Sequence, residues 1–295
     1  MQAHGGSSRV IGITLGDAAG IGPEIIDAAL ASGELERRHQ YRLFGPRDAA
    51  PGRPTAASSR DAIAALEEAV RLARAGDLAA VVTGPISKAL VQREGFAFPG
   101  QTEFFAARTG TRNFAMCLTG GALTVALVTA HVPLREVAAR LSAPEIVRVG
   151  GLLAEFVAQR LRCRPRIAVA GLNPHAGESG ALGREEIEML APATLLLNGE
   201  FGEVADFTGP LSPDTVFHRA VAGEFDGVLC MYHDQGLIPL KLHAFDRGVN
   251  VTLGLPFPRT SPDHGTAFDL AGKGLARPDS MIAAIRLAGE LIVDG

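Results

Sequence analysis

An α/β fold is what this sequence predicts, and three observations predict it. Short runs of β-branched residues alternate with longer segments whose apolar residues recur at helical spacing. Gly and Pro punctuate the ends of those runs. Residues able to do chemistry gather just after them, where open α/β sheets place their ligands.

The first run, Val10 to Leu15, leads into Gly16-Asp-Ala-Ala-Gly-Ile-Gly-Pro-Glu24. Its glycines permit close backbone approach, and Pro23 suits the first turn of a helix reaching Ala31. The spacing is not GxGxxG and no P-loop lysine follows, which excludes Rossmann and Walker fingerprints. The segment is either a ligand-facing loop or a tight strand-to-helix turn.

Tyr41 to Phe44 is the second run, followed by Pro46 to Ser59, whose Pro, Gly, Ala and Ser content predicts a loop, and by a helix over Asp61 to Ala75. Ala79 to Thr83 ends in Thr83-Gly-Pro-Ile-Ser-Lys88, so Lys88 is either an anion contact at a helix start or a solvated residue. Runs at Phe114 to Leu118 and Thr124 to Thr129 come next. Ser142-Ala-Pro-Glu145 then opens a helix ending near Leu161, with Ser142 as N-cap and Glu145 at the capping-box position. Ile167 to Ala170, Val228 to Tyr232 and Val249 to Leu253 complete the strands.

Across 295 residues the apolar fraction of 47% is ample for a packed core. With 28 basic and 32 acidic residues the formal charge is -4, so no overall field favours nucleic acid or an anionic membrane. Local charges must catch any anionic substrate. Trp is absent and Tyr occurs only at Tyr41 and Tyr232, which argues against a stacking platform for single strands. No run approaches the roughly 18 to 20 apolar residues that span a bilayer, and MQAHGGSSRV lacks the pattern of a secretion signal, so a cytoplasmic protein is expected. Cys117, Cys163 and Cys230 lack CxxC spacing and lie among apolar residues, so buried free thiols are expected.

The histidines carry the sharpest chemical signal. His131 follows the run Thr124 to Thr129, His175 stands in Asn173-Pro-His-Ala-Gly177 after Ile167 to Gly171, and His233 follows Val228 to Tyr232, just before Asp234. Any one of them alone is as well explained as a hydrogen-bonded structural residue. Three imidazoles at three strand ends can converge on a divalent metal and leave positions open for substrate oxygens. His4 and His39 lie in polar surroundings, His218 falls within a helical segment and His243 follows one, so all four are expected at the surface. His264 sits in a loop that could approach a cofactor.

A second set, Lys241, Asn250 and Arg259, offers a point charge, an amide and a guanidinium fork suited to phosphate or carboxylate. The bland alternative is a solvated lysine and a loop arginine, although Gly248, Gly254, Pro256 and Pro258 predict a shaped loop.

At these residues the chain resembles the 4-hydroxythreonine-4-phosphate dehydrogenase family of pyridoxal phosphate biosynthesis. The matching blocks are GDAAGIGPE, TGPISKAL, GQTEFFA, TAHVPLREV, LNPHAGESG, GPLSPDTVF, MYHDQGLIPLKL and GVNVTLGLPFPRTSPDHGTAFDLAGKG, running from Gly16 to Gly274. The resemblance implies a two-domain isocitrate and isopropylmalate dehydrogenase-like fold, not Rossmann. The first domain is placed at residues 1–120 plus 260–295, and the second, with metal ligands and dimer contacts, at 121–259. It implies a homodimer with a shared site in the interdomain cleft, where His131, His175 and His233 bind zinc, magnesium or cobalt and one of them reaches across from the partner subunit.

Gln101, Thr102, Lys241, Asn250 and Arg259 would contact a small phosphorylated hydroxy acid, and Asp214, Asp234 and Lys241 are the candidates for catalytic support. NAD or NADP would take the hydride, with oxidation of 4-phosphooxy-threonine followed by decarboxylation. Similar-looking enzymes act on erythronate or threonate 4-phosphate or on a cyclic dihydrodiol carboxylate, and a metal-dependent hydrolase would also use three histidines. The family usually has His where Gln101 stands. Gln cannot carry a proton or a positive charge, which bears on the substrate head group.

Overall fold

The computed structural model describes residues 9–292. Ten strands run in chain order: β1 (Arg9–Thr14), β2 (His39–Phe44), β3 (Ala80–Thr83), β4 (Ala115–Gly120), β5 (Leu123–Leu127), β6 (Arg166–Ala170), β7 (Asp206–Leu211), β8 (Gly227–Cys230), β9 (Val249–Leu253) and β10 (Arg259–Pro262). The helices are α1 (Gly22–Ala31), α2 (Ala56–Ala75), α3 (Lys88–Arg93), α4 (Gln101–Thr109), α5 (Val137–Arg140), α6 (Ala143–Leu161), α7 (Ala191–Phe201), α8 (Val216–Val221), α9 (His233–Ala244) and α10 (Asp279–Glu290).

The chain divides into two compact units, one holding residues up to Arg112 and from Leu255, the other Asn113–Gly254. The division falls earlier at both crossings than the sequence suggested. β4 joins the second unit because it pairs with β5 and β9, and Arg259 joins the first because β10 pairs with β3.

In the first unit the strands lie in the order β2-β1-β3-β10, all parallel. Helix α2 buries Leu66, Ala69, Val70 and Ala73 in a core that also holds Phe96, Phe104, Phe105 and Phe257. Thr55 and Ser58 form a reciprocal capping box at its start, so the helix begins inside the segment expected to be loop. The turn after β1 needs glycine. Gly16 has φ +72°, and a Cβ there would stand 2.2 Å from the Pro85 carbonyl oxygen.

In the second unit the order is β9-β4-β5-β8-β6-β7. β4 runs antiparallel to β9 and β5, while β8, β6 and β7 continue parallel. Antiparallel β4 and this strand order are foreign to the Rossmann arrangement. Ser142 caps α6, accepting from the Glu145 backbone N–H, but the Glu145 carboxylate pairs with Arg148. Of the three thiols, Cys117 and Cys230 are buried, and burial pushes Cys117 up to about 12. Cys163 is exposed, contrary to expectation, because it lies just past the end of α6. No described helix is long and apolar enough to cross a membrane.

Candidate active site

In the first unit the candidate residues meet where β3 and β10 adjoin the start of α4. Arg259, 2% exposed, opens β10. Its Nη2 donates to Thr83 Oγ1 at 2.6 Å and to Gln101 Oε1 at 2.9 Å, and its guanidinium lies over the Phe105 ring. Gln101, the first residue of α4, donates from Nε2 to the Gly84 carbonyl at 3.1 Å. Burial pushes the Arg259 guanidinium down to about 10, and the charge of Glu103 opposes that shift. Thr102 follows, half-buried on the same first turn. Lys88 is exposed on α3, and a Cβ at Gly100 would meet Glu103 Oε2 at 3.1 Å and Lys88 Nζ at 3.6 Å, so both charges stand by the α4 start. Helix dipole and cations together make this end receptive to an anion.

In the second unit His131 and His233 face each other with ring centroids 5.6 Å apart. The pairing has a backbone cause: the segment leading to His131 is tied to the end of β8, with Val128 N donating to Cys230 O at 2.9 Å and Thr129 Oγ1 to Met231 O at 2.7 Å. Buried Gln235 fixes the neighbouring strand ends, accepting from Met231 N and donating to Gly171 O, both at 2.7 Å. Sequence reasoning missed Gln235; its signal was an amide directly after His233-Asp234 at a helix start.

His233 Nδ1 lies 2.7 Å from Asp234 Oδ1, and His175 Nδ1 lies 2.9 Å from Glu178 Oε2. In each case the carboxylate engages Nδ1 and leaves Nε2 as the remaining ring nitrogen, the kind of contact that orients a metal-binding imidazole. The expected three-histidine set is nevertheless not assembled within one chain. Among the described residues no group of three or more His, Cys, Asp or Glu side chains is placed to hold a metal ion. His175 stands instead on a turn whose residues His175–Ser179 all have φ between +44° and +79°.

Asp214 is exposed, and the hydrogen bond from Ser212 Oγ, at 2.6 Å, holds its carboxyl below the usual range, with nearby His175 acting the same way. Lys241 is half-buried on α9, seven residues after Asp234 and so two turns along the same stripe. Asn250 is half-buried on β9, opposite Leu118 of β4.

The remaining histidines divide. His4 lies outside the described residues. His39 is buried rather than at the surface, and desolvation lowers its pKa. His218 is exposed on α8. His243 lies on α9 rather than after it, and its Nε2 accepts from Ala122 N at 3.1 Å. His264 is half-buried, with Nδ1 3.2 Å from the Gly265 carbonyl.

Comparison with known proteins matches residues 21–288 to the model of the family described as pyridoxal phosphate biosynthetic protein PdxA. A 4-hydroxythreonine-4-phosphate dehydrogenase from Bradyrhizobium diazoefficiens is 46% identical over 96% of this chain and 84% of its own. The crystal structure of 4-hydroxythreonine-4-phosphate dehydrogenase from Klebsiella pneumoniae is 38% identical, with a TM-score of 0.80 over 97% of this chain and 100% of that one. The β-decarboxylating dehydrogenase of Thermococcus kodakarensis, 18% identical with a TM-score of 0.52 over 94% of this chain and 81% of its own, shares the fold alone.

Proposed function

The chain belongs to the PdxA family of pyridoxal phosphate biosynthesis, and from that membership we propose that it oxidises 4-phosphooxy-threonine, with decarboxylation to 3-amino-2-oxopropyl phosphate. The hydride goes to NAD or NADP and the hydroxyl proton to a base of the site. The alternatives of a sugar-acid phosphate, a dihydrodiol or a hydrolysis reaction have no comparable support.

The observation that carries the chemistry is the approach of His131 to His233 at 5.6 Å between centroids. Two imidazoles fit a divalent cation by donor type, while one chain supplies too few of them for a closed set. We place the third ligand, His175, on the partner subunit of a homodimer. A zinc, cobalt or magnesium ion held by His131, His233 and that third histidine supplies Lewis-acid polarisation of the reacting oxygens. An apolar stripe supports the dimer: Ile238 and Leu242 of α9 and Phe245 just beyond are 64%, 88% and 76% exposed. Ile238 and Leu242, four residues apart on one face of α9, with Phe245 just past its end, suit burial against a second copy.

The chain's own groups then divide the work. Arg259, braced by Gln101 and Thr83, offers a charged fork to the anionic end of the substrate, with Thr102 adding a hydroxyl at the α4 N-terminus. Lys241 and Asn250 are assigned to further polar contacts with substrate. Asp214, held as a carboxylate by Ser212, is assigned to proton transfer, and Asp234 orients His233.

The test is reduction of NAD and NADP followed at the absorbance of the reduced nicotinamide. 4-Phosphooxy-threonine, erythronate 4-phosphate and threonate 4-phosphate are compared before and after chelation. Fastest turnover of 4-phosphooxy-threonine, lost on chelation and restored by cobalt, is the expected result; substrate conversion without nicotinamide reduction would remove the reading.

A further inference from the structure

The turn that carries His175 is costly, and a buried acid sits beneath it. His175, Ala176, Gly177, Glu178 and Ser179 are consecutive left-handed residues, four of them not glycine. The left-handed helical conformation is unfavourable for every non-glycine residue, so such a turn persists only where its surroundings over-determine it. Glu186, 2% exposed, supplies that determination. Its Oε1 accepts from the backbone N–H of Leu172 at 2.8 Å and of Asn173 at 2.7 Å, and its Oε2 accepts from Asn173 Nδ2 at 3.0 Å. Asn173 Nδ2 also donates to Glu185 Oε2 at 2.7 Å.

The turn folds over the carboxylate itself: a Cβ at Gly177, where φ is +79°, would lie 2.7 Å from Glu186 Oε2. Glu186 in turn opens a π-helical turn, Glu186–Leu190, that runs directly into α7. Isolated π-turns recur at functional sites because they re-aim one residue without ending the helix. The acid is met by three N–H donors of one short segment, while the His175 side chain stays 62% exposed.

We propose that Glu186 is a positioning residue for His175: its buried carboxylate locks the Leu172–Asn173 backbone and so holds the left-handed turn that presents the imidazole for coordination. The proposal rests on the reading of His175 as a metal ligand, and its test keeps the two apart. Glu186→Gln preserves volume and one acceptor oxygen but removes the charge that favours three donors at once.

Cobalt(II) affinity, followed by the visible absorption of the bound ion and by titration calorimetry, is measured in the unaltered protein, Glu186→Gln, His175→Ala and the double variant, with thermal unfolding as a check on folding. Cobalt affinity is expected to fall about ten-fold or more in Glu186→Gln. It should fall no further when that change is added to His175→Ala, because the two act through one ligand. Unchanged affinity in His175→Ala sinks the reading of that histidine as a ligand. A loss in His175→Ala with none in Glu186→Gln overturns the positioning role, as does an equal effect of Glu186→Gln in both backgrounds, which would mark a general structural acid. If Glu186→Gln fails to fold, Asn173→Ser removes the amide donor alone; a smaller, likewise non-additive loss of cobalt affinity supports the proposal and an unchanged one overturns it.

Discussion

Gln101 Oε1 accepts a hydrogen bond from Arg259 Nη2 at 2.9 Å while Gln101 Nε2 donates to the Gly84 carbonyl at 3.1 Å. The amide therefore has a defined direction: turned over, it would set an NH2 group against a guanidinium and a carbonyl against a carbonyl. Gln101 braces the arginine as well as standing where substrate is expected, and a neutral side chain does so at every pH.

Gln101→His places a titrating group in that brace. Above its pKa of roughly 6.5 an imidazole can accept from Arg259; below it, an imidazolium would face a guanidinium. The Michaelis constant of the variant for 4-phosphooxy-threonine is expected to rise as pH falls from about 7.5 to 5.5, relative to the unaltered protein assayed alongside it. Initial rates across that range check it, and parallel profiles for the two proteins would show that position 101 does not govern Arg259.

Arg259→Lys replaces a planar fork with a point charge that cannot hold Thr83 and Gln101 in the same geometry. A charge-assisted hydrogen bond contributes about 1.5–3 kcal/mol, so the Michaelis constant should rise about ten-fold or more, with a smaller change in turnover. Direct binding of inorganic phosphate should weaken in the variant as well, since a point charge cannot grip it bidentately. Phosphate binding that is equal in the two proteins would take Arg259 out of the anion site.

If His175 completes the partner's site, two inactive variants should complement each other. Mixing His175→Ala with His131→Ala subunits under exchange gives heterodimers with one site fully furnished and one doubly defective. About a quarter of the unaltered activity and metal content is the expected recovery, since half of a random mixture is heterodimer and half of its sites are intact. No recovery after proven subunit exchange would place His175 and His131 in the same chain's contribution to the site and overturn the assignment of His175 to the partner.

Leu242→Glu introduces a charge into the exposed stripe formed with Ile238 and Phe245. A single chain is indifferent to it, because Leu242 is 88% exposed, whereas a subunit interface is not. Sedimentation velocity should show a dimer for the unaltered protein and a monomer for the variant, with unchanged circular dichroism. A dimer of undiminished stability would put the interface elsewhere.

The strands that could be read from sequence are those whose side chains announce burial on both faces, such as β3 with Ala-Val-Val-Thr and β8 with Gly-Val-Leu-Cys. β10, Arg-Thr-Ser-Pro, is as buried as they are but polar in three of its four residues. Its groups are satisfied by partners distant in sequence: Thr260 Oγ1 donates to Ala284 O and Arg259 to Thr83. No local pattern reveals such partners. His39 misled for a related reason, being flanked by polar residues on a strand while its own ring packs beside Gly289, where a Cβ would stand 3.0 Å from its Nε2. The histidines of the candidate site were visible because each follows an apolar run. The left-handed backbone beneath His175 was not, since four of its five residues are of types that rarely adopt it.

The first unit is written in two instalments, up to Arg112 and again from Leu255, with β10 and α10 in the second. On the ribosome, β3 emerges long before the strand it must pair with, and the whole of the second unit is synthesised in between. The second unit, contiguous in sequence, can close during translation, while the first must hold an unpaired edge open until its final strand arrives. Arg259 comes with that late strand, so its contacts with Thr83 and Gln101 are among the last features a nascent chain acquires, and a chain released early lacks them altogether.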